Sequence, residues 1–241
     1  MNFAGKTYWL IGASEGLGEA LARKMAAHGA HLILSARNAD KLAALAAELP
    51  HARAVPCDVA SRDSVAAAAA EAGHIDGMVW LAGVYWPMTA QKVDAAQAEA
   101  MADVNFTGAV RAVAAVLPQM VARDAGHIVI TGSLSGFRGL PGAIGYAASK
   151  AGTMVLAESL YCDLHRSGVR VQLANPGFIK TRLTAKNDFA MPFLMTPEQA
   201  ADHMLRLMAS RRFKSSFPGA FSWLFRGAQV LPDWLYYRIF A

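Results

Sequence analysis

Thr7-Tyr8-Trp9-Leu10-Ile11 runs directly into Gly12-Ala13-Ser14-Glu15-Gly16-Leu17-Gly18, and an Ala-rich stretch with helical spacing follows. A short apolar run, a turn with three glycines and an amphipathic segment read as strand, tight turn and helix. Glycines in such a turn allow positive backbone angles and close approach of the main chain to a ligand, while the helix start offers free N–H groups to a phosphate. The spacing is GxxxGxG, which differs from the GxGxxG dinucleotide fingerprint.

The same alternation continues outward from this turn. Apolar runs at Thr7 to Ile11, His31 to Ser35, Arg53 to Val55, Gly77 to Leu81, His127 to Thr131 and Val169 to Ala174 predict strands. Most are apolar on both sides of the pleat, as strands covered on both faces should be. Helical patterns lie between and after them, near Gly16 to His28, Asp40 to Leu49, Ser61 to Ala72, Ala95 to Arg123, Tyr146 to Ser167 and Pro197 to Ser210. Strands alternating with helices predict an α/β fold, a parallel sheet covered by helices. No repeat or linker divides residues 1–210, so a single domain is expected there, with residues 211–241 as a C-terminal extension.

Composition narrows the classes. The 241 residues, 54% hydrophobic and 17% charged, suffice for a sizeable core and exclude a disordered chain. Cys57 and Cys162 form no CxxC pair, and the seven histidines show no ligand spacing, so neither a disulfide framework nor a metal site is expected. No basic segment followed by a long apolar run opens the sequence and no 18-residue apolar stretch occurs, which leads to the expectation of a cytoplasmic protein. Of the formal net charge of +5, Arg211, Arg212, Lys214, Arg226 and Arg238 against Asp233 place +4 after residue 210. The main body is therefore nearly neutral, and the basic residues of the tail are interleaved with bulky apolar ones, a pattern that argues against a nucleic-acid partner.

Tyr146 and Lys150 lie four apart, on one face of a predicted helix. A free phenol has a pKa of about 10, and a nearby ammonium favours the phenolate; a shift of about 3 units corresponds to roughly 4 kcal/mol. Such a pair suits general acid/base chemistry. Asn105 interrupts an otherwise apolar helical stretch, Ser133 follows the fifth strand thirteen residues before Tyr146, and Pro176-Gly177-Phe178-Ile179-Lys180-Thr181 follows the sixth.

Taken in order, Gly12, Gly16, Gly18, Asn105, Ser133, Tyr146, Lys150 and Pro176-Gly177 resemble the classical short-chain dehydrogenase/reductase family, over roughly Lys6 to Thr181. The resemblance implies a single Rossmann-type catalytic domain, a doubly wound parallel sheet of six to seven strands with helices on both faces, and a nicotinamide dinucleotide across the carboxyl ends of the strands. Its contacts would come from Gly12, Ser14, Gly16, Leu17, Gly18, Arg37, Asp58, Val59, Ala82, Gly83, Pro176, Gly177, Ile179 and Thr181, with Tyr146 and Lys150. By the same resemblance Tyr146 would give the proton to a carbonyl oxygen held by Ser133. Lys150 would bind the ribose and lower the tyrosine pKa, and Asn105 would join the proton relay through water to Lys150. Asp58 would meet the adenine ring, or else cap the helix that begins near Ser61. Ile11 replaces the family's frequent Thr, and Trp80-Leu81-Ala82-Gly83 replaces its Asn-Asn-Ala-Gly.

Ser35-Ala36-Arg37-Asn38 follows the second strand, without the acid that would bind both ribose hydroxyls of NAD. Arg37 offers a fork for a phosphate, so NADP(H) is the preferred cofactor and NAD(H) the alternative, with Glu15 as a charge against the first. Tyr85, Leu134, Phe137, Phe178, Met191 and Phe193 correspond to the family's pocket wall, with residues 182–197 as a substrate lid. Their apolar character predicts a small-molecule carbonyl or alcohol substrate rather than a charged sugar. A non-catalytic dinucleotide-binding sensor or scaffold is the rival function. The family's pairing of its long helices predicts a homodimer or homotetramer. For the tail, an apolar stripe of Phe221, Leu224, Phe225, Ala228 and Leu231 within residues 219–231 predicts a helix. Its expected role is packing over the substrate cleft or a second subunit, with peripheral membrane contact as the alternative.

Overall fold

The structure, a computed structural model, describes residues 3–240. Its strands are β1 (Thr7–Ile11), β2 (His31–Ser35), β3 (Ala52–Ala54), β4 (Gly77–Trp80), β5 (Gly126–Thr131), β6 (Val169–Pro176) and β7 (Lys214–Phe217). Its helices are α1 (Gly16–Ala27), α2 (Ala39–Glu48), α3 (Arg62–Ala72), α4 (Ala95–Ala102), α5 (Gly108–Ala122), α6 (Ile144–Leu164), α7 (Pro197–Ala209), α8 (Gly219–Ala228) and α9 (Asp233–Phe240). All strand pairings are parallel, in the order β3-β2-β1-β4-β5-β6-β7. The order reverses between β1 and β4, and in an open α/β sheet a ligand crevice forms at the carboxyl ends of the strands at such a point.

Side-chain alternation explains why the strand sequences are apolar throughout. Tyr8, Leu10, Leu32, Leu34, Val79 and Val129 pack with Leu21 and Met25 of α1, Leu42 and Leu45 of α2, and Met204 and Met208 of α7. Their neighbours Trp9, Ile11, Ile33, Met78, Trp80, Ile128 and Ile130 pack on the other face with Val65 of α3, Val116 and Met120 of α5, and Met154 and Leu160 of α6. Each of the inner strands β1, β2, β4 and β5 thus feeds two cores, and a polar residue at either parity would be buried.

Two predicted boundaries change. β7 lies inside what the sequence reading treated as an extension beginning at residue 211: Leu173 to Pro176 pair with Lys214 to Phe217, so the sheet closes only at Phe217. The stripe predicted over residues 219–231 also holds only in part. α8 stops at Ala228, and Phe221 and Ala228 are buried, but Leu224 is exposed because only one edge of the helix meets the domain.

α4 and α5 form one rod joined by a π-turn, Asp103–Thr107. The rod has the length and hydropathy to cross a membrane, yet Ala109, Ala112 and Val116 of α5 belong to the inner core.

At the amino ends of the strands a buried polar chain ties three of them together. The Tyr8 hydroxyl lies 2.9 Å from His127 Nδ1, and His127 Nε2 lies 2.9 Å from Gln172 Oε1. Gln172 Nε2 donates to the carbonyls of Leu207 and Arg212, at 2.9 and 2.7 Å. Burial pulls the His127 pKa down to about 3, so the ring is neutral, accepting from Tyr8 and donating to Gln172. A folded-state value below that of the unfolded chain means that stability falls as pH drops from about 6.5 towards the folded value. Replacing Gln172 with Leu takes the acceptor from the His127 Nε2–H and the side-chain donor from the Arg212 carbonyl, and should cost about 2–4 kcal/mol in urea unfolding. Dinucleotide affinity should not change, because this cluster lies at the opposite end of the sheet from the crevice.

Candidate active site

The crevice at the switch point is a cleft of about 850 Å3 lined by Gly12, Ser14, Glu15, Gly16, Leu17 and Gly18 from the first turn, Val59, Ala82 and Gly83 from the next loops, and Pro176, Gly177, Ile179 and Thr181 after β6. Arg37, Ser133, Tyr146 and Lys150 complete it. Gly12 has φ +99° and Gly16 φ +59°, both in the left-handed region. A Cβ on Gly12 would collide with the backbone of Ala82, and one on Gly18 with the carbonyl of Gly12. The first turn of α1 has no side-chain cap, whereas α2, α3, α4 and α7 are capped by Asn38, Ser61, Asp94 and Thr196. Its N–H groups face a cradle that any side chain would fill, which fits a phosphate-bearing dinucleotide.

Glu15, the residue that seemed to oppose a phosphate, is held by two cations. Its carboxylate lies 3.0 Å from Lys41 Nζ and 2.8 Å from Arg182. Neither cation was picked out from the sequence, although an acid inside a glycine turn is itself a signal that partners lie near. Asp58 lies between the cleft-lining residues Cys57 and Val59 without itself lining the cleft, and its Oδ1 accepts from the Ala60 N–H at 3.0 Å. Ser61, not Asp58, caps α3.

At the other end of the cleft, α6 presents Tyr146 and Lys150 side by side, with Lys150 Nζ 5.9 Å from the centre of the Tyr146 ring. Lys150 is buried and donates to the Thr131 carbonyl at 3.0 Å, and burial pulls its pKa down to about 8. Burial also pushes the Tyr146 phenol up to about 12, and the Ser133 hydroxyl pulls it partly back. The expected lowering of Tyr146 by Lys150 is therefore absent here, where the ammonium is directed at the β5 carbonyl and removal from water dominates both groups. Ser133 shares a 2.8 Å hydrogen bond with Ser135.

Asn105 lies within the π-turn and is fully buried. Its Oδ1 accepts from Val84 N–H at 2.7 Å, and its Nδ2 donates to the Val84 carbonyl and Ser149 Oγ, both at 3.0 Å. Its own carbonyl accepts from Thr153 Oγ1 at 3.1 Å. The side chain thus fastens the loop after β4 to α6, a task that the relay reading of Asn105 did not anticipate.

The chain from Lys6 to Met191 matches the model of the short chain dehydrogenase family. The chain is a short-chain dehydrogenase/reductase. It is 40% identical to an uncharacterized oxidoreductase of Myxococcus xanthus over 239 residues, 96% of this chain and 94% of that one. An uncharacterized oxidoreductase of Staphylococcus epidermidis is 33% identical over 198 residues, 80% of this chain and 86% of the relative. Among solved structures, a short-chain dehydrogenase from Sphingobium yanoikuyae in complex with NADPH superposes with a TM-score of 0.84 at 27% identity, covering 95% of this chain and 97% of that one. This short-chain dehydrogenase/reductase is accordingly an NAD(P)-dependent oxidoreductase, and the cradle around Gly12 and Gly18 fits the dinucleotide.

The six residues expected at the pocket wall divide. Tyr85 meets Tyr146 edge-on with ring centres 4.9 Å apart, and Phe178 packs 5.9 Å from Phe189. Leu134 is buried, and Met191 Sδ accepts from Asn187 Nδ2 at 3.2 Å. Phe193 is exposed with φ +57° and stacks on Phe221 of α8 at 5.5 Å. Phe137 instead lines a separate cavity of about 660 Å3 beside the start of α6 and the α9 helix. None of the six is among the residues lining the cleft itself. Gly12→Ala should lose dinucleotide binding by at least about tenfold in fluorescence titration, because both its backbone angle and its contact with Ala82 exclude a methyl group.

Proposed function

We propose that this oxidoreductase interconverts a carbonyl and an alcohol on an apolar small molecule, with NADP(H) as preferred coenzyme, NAD(H) as the second, and Tyr146 as general acid/base. The observation that carries this reading is the meeting of Ser133, Tyr146 and Lys150 at one end of the dinucleotide cleft, with the Tyr85 ring edge-on to Tyr146. The nicotinamide, when bound, supplies the hydride for the carbonyl carbon. Ser133 donates to the carbonyl oxygen and holds it near the phenol, and Tyr146 gives that oxygen its proton. A phenol at about 12 keeps its proton throughout the neutral range, so the resting form is the acid that reduction needs.

Lys150 carries its charge below its value of about 8 and loses it above. The ammonium would hold the ribose of the coenzyme, which a neutral amine would hold less firmly. Reduction should therefore be flat with pH up to about 8 and decline beyond it in kcat/KM profiles. Tyr146→Phe should lower kcat by at least about a thousandfold while keeping coenzyme binding. A wild-type chain inert towards a broad panel of apolar ketones, aldehydes and alcohols would instead support the non-catalytic sensor.

For the coenzyme, Ala36 offers no carboxylate, Arg37 is exposed at the cleft edge, and Glu15 is neutralised by Lys41 and Arg182. The NADPH held by the Sphingobium yanoikuyae relative agrees with this preference. Arg37→Ala should raise the KM for NADPH about tenfold and leave that for NADH within about twofold; equal effects on both would refute the assignment.

The exposed apolar residues Val110 and Val121 of α5 and Val155 and Tyr161 of α6 support association through these helices, as a homodimer or, with a second pairing, a homotetramer. Two free cysteines accord with a reducing, cytoplasmic setting. Peripheral membrane contact is the less favoured reading of the tail, because Phe221 and Tyr236 are buried against the domain instead of being offered to lipid.

A further inference from the structure

Arg138 lies five residues after Ser133 and eight before Tyr146, in a loop that the proposed chemistry leaves without a task. Its side chain is only 17% exposed. One guanidinium nitrogen donates to the carbonyls of Ala228 and Leu231, at 3.0 and 2.8 Å, where α8 ends. The other pairs with Asp233 in the first turn of α9. The guanidinium plane lies 3.9 Å from the centre of the Tyr236 ring. Around this centre Tyr236 donates to the Gly139 carbonyl at 2.7 Å, and Gln229 donates to the Phe137 carbonyl at 3.1 Å. A cation closes the carbonyl end of one helix while pairing with an acid at the amino end of the next, so the α8–α9 corner is assembled around a side chain from the loop between Ser133 and Tyr146.

The far end of α8 reaches the substrate side of the cleft. Phe221 packs 5.8 Å from Phe178 and 5.5 Å from Phe193, ring centre to ring centre, and sits against Gly177 opposite Leu134. The tail thus touches three segments at once: the loop between Ser133 and Tyr146, the turn after β6, and the lid.

We propose that Arg138 is a positioning residue that latches the α8–α9 pair onto the Ser133–Tyr146 loop, so that Phe221 completes the apolar wall that selects bulky substrates. The proposal rests on the assignment of Ser133 and Tyr146 to the reaction. Arg138 touches neither substrate nor coenzyme; it acts through Phe221. Removing it frees two helix-terminal carbonyls and Asp233, and the tail should lift from the cleft without disturbing the dinucleotide cradle.

The test uses the full chain, its Arg138→Ala and Arg138→Lys variants, and Asp233→Asn as a milder change. Hydrogen exchange of residues 219–240 reads the latch, and kinetics with 2-decanone and with 2-butanone read the wall. Arg138→Ala should speed exchange throughout α8 and α9 and raise KM for 2-decanone by about tenfold or more. For 2-butanone, kcat and KM should stay within about threefold, and NADPH affinity should not change. Arg138→Lys, which keeps the charge but not the planar fork, should fall between, and Asp233→Asn should shift exchange and KM in the same direction by less. Unchanged exchange in Arg138→Ala, a released tail with unchanged 2-decanone KM, or equal losses for both ketones would each overturn the proposal. A wild-type chain inert towards both ketones and towards the whole panel of apolar ketones, aldehydes and alcohols would overturn the assignment of Ser133 and Tyr146, and with it the role given to the wall. With an active wild type, Tyr146→Phe tests that assignment apart from the latch, since it should abolish turnover with the exchange pattern of the tail unchanged.

Discussion

The architecture turns on a contact in which only hydrogens fit between main chains. Gly12 leaves β1 at the point where the order of the sheet reverses and presses on the backbone of Ala82 after β4, while the start of α1 at Gly18 presses on the carbonyl of Gly12. These approaches leave the first N–H groups of α1 open towards the cleft. They also explain why the loop after β4 needs its own anchor. Held close to Gly12, it cannot reach a conventional turn partner, and Asn105 supplies both the donor and the acceptor for Val84 from the helix behind.

Burial then sets the chemistry of the deeper end. One loss of water acts in opposite directions on two neighbouring groups, raising the phenol of Tyr146 and lowering the ammonium of Lys150. Both shifts favour neutral forms, so the pair rests as a protonated phenol beside an amine that is charged or neutral near physiological pH. Desolvation that would be a liability in a structural core keeps the proton on Tyr146, as the proposed reaction requires.

The strands of the sheet interior were legible because each feeds two cores and is apolar at both parities apart from a few hydrogen-bonded residues such as Ser35, His127 and Gln172. β7 escaped for the converse reason: Lys214-Ser215-Ser216-Phe217 lies at the sheet edge, pairs on one side only, and has one buried residue, Phe217. The motif residues Gly12, Ser133, Tyr146 and Lys150 were readable because strand ends and helix faces fix their spacing, and all four line the cleft. Phe137 and Asp58 were not, since the direction of a loop side chain depends on the local turn and is not encoded by distance along the chain. Lys41, Arg182 and Arg138 were hidden more deeply. Each acts through a partner at least 26 positions away, a relation that periodicity does not record.

The π-turn around Asn105 has a consequence for how the long rod can vary. It holds one residue more than a regular helical turn, and one residue corresponds to about 100° of rotation about the axis. Met101 before it and Ala109, Ala112 and Val116 after it are buried, so the two halves are phased to each other through that surplus residue. A chain one residue shorter here could wind as an unbroken helix, but it would have to turn either the inner-core face of α5 or the amide that grips Val84 away from its partners. Length in this segment is thus a conserved quantity of the geometry, independent of which apolar side chains fill the rod.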